Sequence, residues 1–260
     1  MAKVFITGSS DGLGLMAARI LIQQGHRVVL HGRNPVRAQA ALIAAPGAEH
    51  AVIGDLAEVE ETRRVADQVN ALGRFDAVIH NAGVGYREPR RIDTPSGASH
   101  VFVINVLAPY ILTALIERPD RLVYLSSGMH HGVRPRLDDM PWTKRRWEGA
   151  SAYAESKFYD VALAFAVARL WPQVLSNALE PGWVPTRMGG PGAPDDMRKA
   201  PVTQAWLAVS DDKLARSTGA YFFHQKLRDP NTAARDPKVQ DALLETCGRL
   251  SGVRLGQPQP

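Results

Sequence analysis

Only one cysteine, Cys247, occurs in 260 residues, so an internal disulfide is excluded and no closely spaced Cys and His set has the form of a zinc site. A reducing compartment is the expected setting. No apolar run is long enough to span a bilayer. The longest, Val101 to Ile116, falls short of the ~20 residues required and carries Asn105 and Pro109. No apolar segment of signal-peptide length fits between Met1 and Thr7-Gly8-Ser9-Ser10, and the expectation is a cytoplasmic protein with no membrane partner. The formal net charge is +5, but the basic residues are scattered. The densest run, Lys144-Arg145-Arg146, lacks interleaved aromatics and reads as solvated loop charge, so no nucleic-acid partner is expected.

Hydrophobic residues make up 45% and charged residues 22% of the chain, an ordinary globular balance with enough apolar material for one substantial core. Short β-branched runs alternate with longer helical patterns. Val4 to Ile6, Arg27 to Leu30, Ala51 to Ile53, Ala77 to His80, Leu122 to Leu125, Val174 to Leu179 and Ala220 to Phe223 read as strands. Between them, Leu13 to Gln24, Val36 to Ala45, Val59 to Leu72, Ser99 to Ile116, Ser151 to Leu170 and Thr203 to Val209 read as helices, and Pro237 to Leu250 closes the series. Such βαβ units imply one α/β domain over residues 1–260, a doubly wound parallel sheet of about seven strands flanked by helices. Two irregular stretches interrupt the rhythm. The segment from Ser126 to Gly149 is long enough to be a lid or binding loop, and the Pro- and Gly-rich stretch from Gly182 to Pro201 reads as a mobile flap.

The first strand runs into Thr7-Gly8-Ser9-Ser10-Asp11-Gly12-Leu13-Gly14 and then directly into a helix. The free N–H groups and positive dipole end of that helix make an anion site, with Gly8 for the tight turn, Gly12 for close approach of a pyrophosphate and Gly14 for helix–strand packing. A glycine triplet alone is a weak signal; its place after the first strand of a βαβ series makes it a dinucleotide cradle. An acidic residue about 20 positions on would mark NAD. The second strand ends instead in Gly32-Arg33-Asn34, and Arg33 can fork onto a 2′-phosphate, which favours NADP(H) over NAD(H). Asp55-Leu56 and Asn81-Ala82-Gly83 sit at carboxyl ends of strands, where doubly wound folds place ligands. Tyr153 and Lys157 stand one helical turn apart on one face.

In this order, TGSSDGLG at Thr7 to Gly14, NAG at Asn81 to Gly83 and YAESK at Tyr153 to Lys157, joined by Asp55, Asn105-Val106, Ser126-Ser127 and Pro181-Gly182 with Thr186, closely resemble the short-chain dehydrogenase/reductase family over nearly the whole chain. The resemblance implies a Rossmann-type fold and an NADP(H)-dependent oxidoreductase acting on a small carbonyl or alcohol. By that resemblance Tyr153 protonates the carbonyl oxygen, Ser127 holds it, Lys157 binds the ribose and acidifies the tyrosine, and Asn105 orders a proton-relay water. Pro181 and Gly182 would pass the nicotinamide, Thr186 would hydrogen-bond its carboxamide or the phosphates, and Val184 would also bind the cofactor. The span from Ser127 to Tyr153 and the Ser126-Ser127-Gly128-Met129-His130-His131 segment are similar to the retinol-dehydrogenase-like branch. Trp142 and Trp147 either cover an apolar substrate or anchor the loop to the body. His130 and His131 suit pocket lining or loop hydrogen bonding, and no metal is expected. A transient nucleotide user such as an epimerase or dehydratase, and a catalytically silent NADP(H) sensor or scaffold, are the rival readings. The helices near Val103 to Ile116 and Tyr153 to Leu170 are apolar enough to form a homodimer or homotetramer interface, or to be buried within one chain.

Overall fold

A computed structural model describes residues 1–256. In chain order the elements are β1 (Lys3–Ile6), α1 (Gly12–Gln23), β2 (Arg27–Gly32), α2 (Pro35–Ala44), β3 (His50–Ile53), α3 (Val59–Ala71) and β4 (Ala77–His80). They are followed by α4 (His100–Phe102), a π turn (Val103–Leu107), α5 (Ala108–Leu115), β5 (Arg121–Leu125), α6 (Gly149–Leu170) and β6 (Leu175–Glu180). The C-terminal part contains α7 (Val202–Val209), β7 (Tyr221–Phe223), β8 (Lys226–Leu227) and α8 (Pro237–Ser251).

The strands form one sheet in the order β3-β2-β1-β4-β5-β6-β7-β8. All pairs are parallel except β7 with β8. The strand order reverses at β1 and β4, and a doubly wound sheet opens a ligand crevice at the carboxyl ends of its strands at that point. The sheet has eight strands where the sequence pattern gives about seven. The extra one is a two-residue edge strand, reached through His224 and Gln225 at φ 49° and 61°, a turn that lets the chain double back antiparallel.

Each face of the sheet buries its own apolar layer. On one face Val65, Ile111, Phe158, Leu163 and Leu243 pack over Phe5, Val78 and Leu122. On the other, Ala18, Leu21, Ala41 and Leu207 cover Val4, Ile79 and Val123. Strands buried on both sides are apolar at nearly every position rather than alternating, as Val28, Val29 and Leu30 show.

Two elements differ from their sequence patterns in ways that bear on the site. The continuous apolar pattern from Ser99 to Ile116 becomes α4, a π turn and α5, with Asn105 inside the turn. A π turn inserts one extra residue and departs from the i→i−4 ladder, a deformation that recurs at functional sites. Helix α6 begins at Gly149, capped by the Glu148 carboxylate accepting from Ser151 N–H at 2.7 Å. Residues from Tyr153 through Val167 of α6 are buried within this one chain, apart from Ala154. Ala108 through Thr113 of α5 are likewise buried within this one chain. No helix among the described residues is long and apolar enough to cross a membrane.

Candidate active site

A cleft of about 1290 Å³ opens over the carboxyl ends of β1 to β6. It exceeds the ~300–1,000 Å³ that suffices for one drug-sized ligand, leaving room for a dinucleotide and a second molecule. Its lining includes Gly8, Ser10, Asp11, Gly12, Leu13, Arg33, Asp55, Leu56, Asn81, Ala82 and Gly83, then Ser127, Tyr153, Lys157, Pro181, Gly182, Val184 and Thr186. The sequence motifs thus converge on one cavity. Thr7, Gly14, Asn34 and Asn105 do not line it, and each has a structural task instead.

The glycine-rich turn is held from below. Thr7 Oγ accepts from the backbone N–H groups of Asn81 and Ala82, both at 3.0 Å, and Asn81 Nδ2 donates to the carbonyls of Thr7 and Gly8 at 3.0 Å. A Cβ on Gly14 would lie 2.4 Å from Asn81 Nδ2 and 2.7 Å from the Gly8 carbonyl, so only glycine permits this packing. Gly8, at φ 59°, would press a Cβ to 2.8 Å from the Ala82 backbone. Gly12 meets nothing within 4 Å and leaves the first free N–H groups of α1 facing the cleft. An anionic dinucleotide fits such a cradle. His31 braces the turn from β2: its Nδ1 accepts from Gly8 N–H at 3.0 Å and its Nε2 pairs with the Gly54 carbonyl at 2.9 Å. Burial lowers the His31 pKa, keeping the ring neutral and able to accept. Nothing in the sequence marks His31 for this task.

At the far end of the cradle Arg33 and Arg37 both line the cleft, and Arg37 is paired with Asp11. Asn34 is the N-cap of α2, accepting from Arg37 N–H at 2.9 Å, and contributes by orienting the helix that carries Arg37. Arg37 was findable in the sequence, since it lies one turn beyond Arg33.

At the other end Tyr153 projects from the first turns of α6, 7% exposed, with its ring 5.6 Å from Tyr86. Burial raises the phenol pKa; the Lys157 ammonium and the Ser127 hydroxyl lower it, and Asp160 raises it further. The balance lies above the ordinary tyrosine value because burial outweighs the lowering by Lys157 and Ser127. Lys157 Nζ lies 5.9 Å from the Tyr153 ring centroid. It donates to the Leu125 carbonyl and to Asp160 Oδ2, each at 2.8 Å. The two adjacent serines separate cleanly. Ser126, 3% exposed, donates to the Lys157 carbonyl at 2.7 Å, whereas Ser127 presents its hydroxyl near the phenol.

Asn105 spends its side chain on the protein: Oδ1 accepts from Val84 N–H at 2.8 Å, and Nδ2 donates to the Val84 carbonyl at 3.0 Å and to Ser156 Oγ at 2.9 Å. It fixes the segment after Gly83 to the π turn and to α6. His130, fully buried, bonds the Ser127 carbonyl through Nδ1 at 2.7 Å and accepts from Asn231 N–H at 3.2 Å. Burial lowers its pKa to about 4. It acts as a neutral strut behind Ser127.

The long segment after Ser127 contributes only its beginning, Ser127, Gly128 and Met129, to the cleft. The rest is a folded knot. Asp139, 2% exposed, accepts from the backbone of Thr143, Lys144 and Arg145 and from the Arg145 side chain, which also forks onto Glu155 at 2.7 and 2.8 Å. Trp142 stacks under Arg145, and Trp147 donates to the Glu88 carbonyl at 2.9 Å. Both tryptophans anchor the loop. The Pro- and Gly-rich stretch does line the cleft, through Trp183, Arg187, Met188 and Gly189. It is clasped to the loop after β4: the Gly189 carbonyl accepts from Tyr86 Oη at 3.4 Å, Arg87 Nη2 at 3.3 Å and Trp183 Nε1 at 3.1 Å. The apolar wall formed by Ile104, Tyr86, Met129, Met188, Trp183 and Phe223 is interrupted by Glu180 paired with Arg228 and by His100 bonded to Glu88 at 3.0 Å.

The chain is similar to known proteins along nearly its whole length. The short chain dehydrogenase family profile matches residues 2–120. A short-chain dehydrogenase of the fungus Gibberella zeae is 41% identical, over 99% of this chain and 100% of the relative. Human retinol dehydrogenase 13 is 29% identical, over 96% of this chain and 84% of its own length. A crystal structure of a Mycobacterium paratuberculosis protein superposes with a TM-score of 0.85 at 24% identity, covering 100% of this chain and 96% of that one, which speaks for the fold.

Proposed function

Because the chain belongs to the short-chain dehydrogenase/reductase family of oxidoreductases, we propose that it uses NADP(H) to interconvert a carbonyl and an alcohol on a small, largely apolar substrate, with residues 1–260 acting as one catalytic unit. The observation that carries this reading is the meeting, at one end of a dinucleotide-sized cleft, of a buried tyrosine, a serine hydroxyl and a lysine ammonium. When bound, the nicotinamide supplies the hydride and, oxidised, a positive charge that favours the phenolate.

The chain's own residues do the rest. The amides of Gly12 and Leu13 receive the pyrophosphate, Asp55 and Leu56 flank the adenine, and Arg33 with Arg37 selects the 2′-phosphate by charge-assisted bonds. Lys157 turns its remaining N–H towards the ribose. Pro181, Gly182, Val184 and Thr186 border the nicotinamide. In reduction, Ser127 donates to the substrate oxygen and Tyr153 transfers its phenolic proton to that oxygen; in oxidation the phenolate takes the proton back. The Asn105 side chain, committed to Val84 and Ser156, holds the segment after Gly83 in place beside Lys157. The aromatic and methionine wall excludes solvent and receives the apolar part of the substrate.

The test is NADPH and NADH consumption against a panel of apolar aromatic and aliphatic ketones and aldehydes, with wild type and Tyr153→Phe. The expected result is NADPH-preferring turnover that falls by ~10²-fold or more in the variant, the usual weight of a general acid. Equal turnover in both proteins would remove Tyr153 as proton donor. Cofactor binding without turnover on any carbonyl would favour a silent sensor.

A further inference from the structure

Asp160 is a carboxylate buried to 2% exposure in the middle of α6, where, among the described residues, its ion-pair partner is Lys157. An isolated buried carboxylate is costly, and one retained against a catalytic-site lysine has a consequence for that lysine. The ammonium has three N–H donors. The Leu125 carbonyl and Asp160 Oδ2 each take one at 2.8 Å, which leaves a single donor for the cleft. Nζ is held beside the turn after β4, where a Cβ on Gly83 would lie 3.5 Å from it. The pair also changes the field at the phenol. A lone ammonium beside Tyr153 stabilises the phenolate, whereas an ammonium closely paired with a carboxylate is nearly a dipole, and its effect on a third group is much weaker.

We propose that Asp160 is a positioning residue that keeps one N–H of Lys157 engaged and, through its charge, raises the pH at which Tyr153 exchanges its proton. The inference rests on the proposed role of Tyr153. The titratable groups around the carboxylate are Lys157 and Tyr153 on its own helix and Tyr124 on β5, whose ring is stacked on His80 of β4 at 4.7 Å. Burial raises the Tyr124 pKa and lowers that of His80 to about 3, so both are neutral near pH 7 and Lys157 is the one cation among these groups. Asp160 itself is pushed up to about 7 by burial, against the pull of Lys157. The ordering of effects on Tyr153, with Lys157 lowering and Asp160 raising, agrees with the geometry.

The experiment replaces Asp160 by a neutral group in two ways, Asp160→Asn, which keeps the shape and an acceptor for Lys157, and Asp160→Ser, which cannot overpack the site. Each variant and wild type is titrated by ultraviolet phenolate absorbance, with and without NADP⁺, against the same background carrying Tyr153→Phe, so that the difference isolates Tyr153. The kcat/KM profile for NADPH-dependent reduction is measured alongside. The expected outcome is a downward move of the Tyr153 step by about one pH unit, matched by the alkaline limb of the reduction profile. A merely structural role would lower the unfolding temperature of both variants and leave the Tyr153 step in place, and that result would overturn the proposal. If either substitution prevents folding, the other decides. Failure of the wider functional reading appears separately, as turnover that survives Tyr153→Phe while the phenolate step still responds to Asp160.

Discussion

Ser126 and Ser127 are neighbours in sequence and opposites in use, because the chain is extended as it leaves β5 and successive side chains point to opposite sides. Ser126 turns inward to the Lys157 carbonyl; Ser127 faces the cleft. Ser126→Ala removes one buried hydrogen bond and is expected to cost about 1 kcal/mol of stability, read by urea unfolding, with the apolar-ketone rate little changed. Ser127→Ala, which loses only an exposed, long bond from Met129 N–H at 3.3 Å, has the reverse signature: little change in unfolding and a rate lower by ~10²-fold, the usual weight of one donor to a developing oxyanion. If the two variants exchanged these signatures, the assignment of Ser127 would be wrong. The arginines at the other end of the cleft divide similarly. Arg33 is exposed, whereas Arg37 is already paired with Asp11, so Arg33 has more unspent hydrogen-bonding capacity for a 2′-phosphate. Arg33→Ala is expected to raise the KM for NADPH by roughly 10–100-fold, the worth of a charge-assisted bond of about 1.5–3 kcal/mol, and to leave the KM for NADH unchanged. An equal rise for both nucleotides would show that Arg33 does not read the 2′-phosphate.

Between elements, the knot after Ser127 explains how a long irregular segment can sit beside the site without entering it. Asp139 gathers three backbone N–H groups and the Arg145 guanidinium, and Arg145 ties the knot to α6 through Glu155. Asp139→Ala leaves those donors without their acceptor and is expected to cost about 3–5 kcal/mol. It should also open the segment to trypsin at Lys144, Arg145 and Arg146 while NADPH binding persists. Resistance equal to wild type would mean the knot is held by Trp142 and Trp147 instead. Nothing in the sequence announces this knot, because its acceptor is one aspartate among many and its donors are backbone. The regular elements were legible for the opposite reason. Helix and strand patterns write their burial into apolar spacing, and the strand ends that carry Gly12, Asp55, Asn81 and Ser127 follow directly from it. The π turn was hidden, since the largely apolar run from Val101 to Ile116 looks the same whether or not one residue is inserted. Strand β8 is too short to have a period. Asp160, three residues beyond Lys157, reads in sequence as an ordinary surface pair on a helix; only the burial of α6 on all sides makes it a site residue.

For the whole molecule, the polar groups sealed inside the sheet and its cover set the response to acid. His31, His80 and His130 are buried, and burial lowers the pKa of each, to about 3 for His80 and about 4 for His130. A histidine held neutral in the folded chain takes up its proton first in the unfolded one, so its contribution is fully present above the unfolded value near 6.5 and is lost as pH falls below it. At pH 5 each of the two deepest shifts removes about 2 kcal/mol, together about 4, from a stability that for domains of this kind is about 5–15 kcal/mol. Asp160 acts in the other sense. Its raised pKa makes the folded chain bind a proton between about pH 7 and the unfolded carboxylate value, returning part of the loss over the same range. Three histidines against one carboxylate leave a net decrease. Unfolding free energy from urea titrations is therefore expected to fall steadily from pH 7 to pH 5, with net proton uptake on unfolding. His80→Gln keeps a partner for Thr113, which now bonds the imidazole at 3.1 Å, and should flatten that slope by about one proton while Asp160→Asn steepens it. A pH-independent stability over this range would show that these imidazoles are charged in the folded protein, and with that the neutral struts assigned to His31 beneath the glycine-rich turn and to His130 behind Ser127 would fall together.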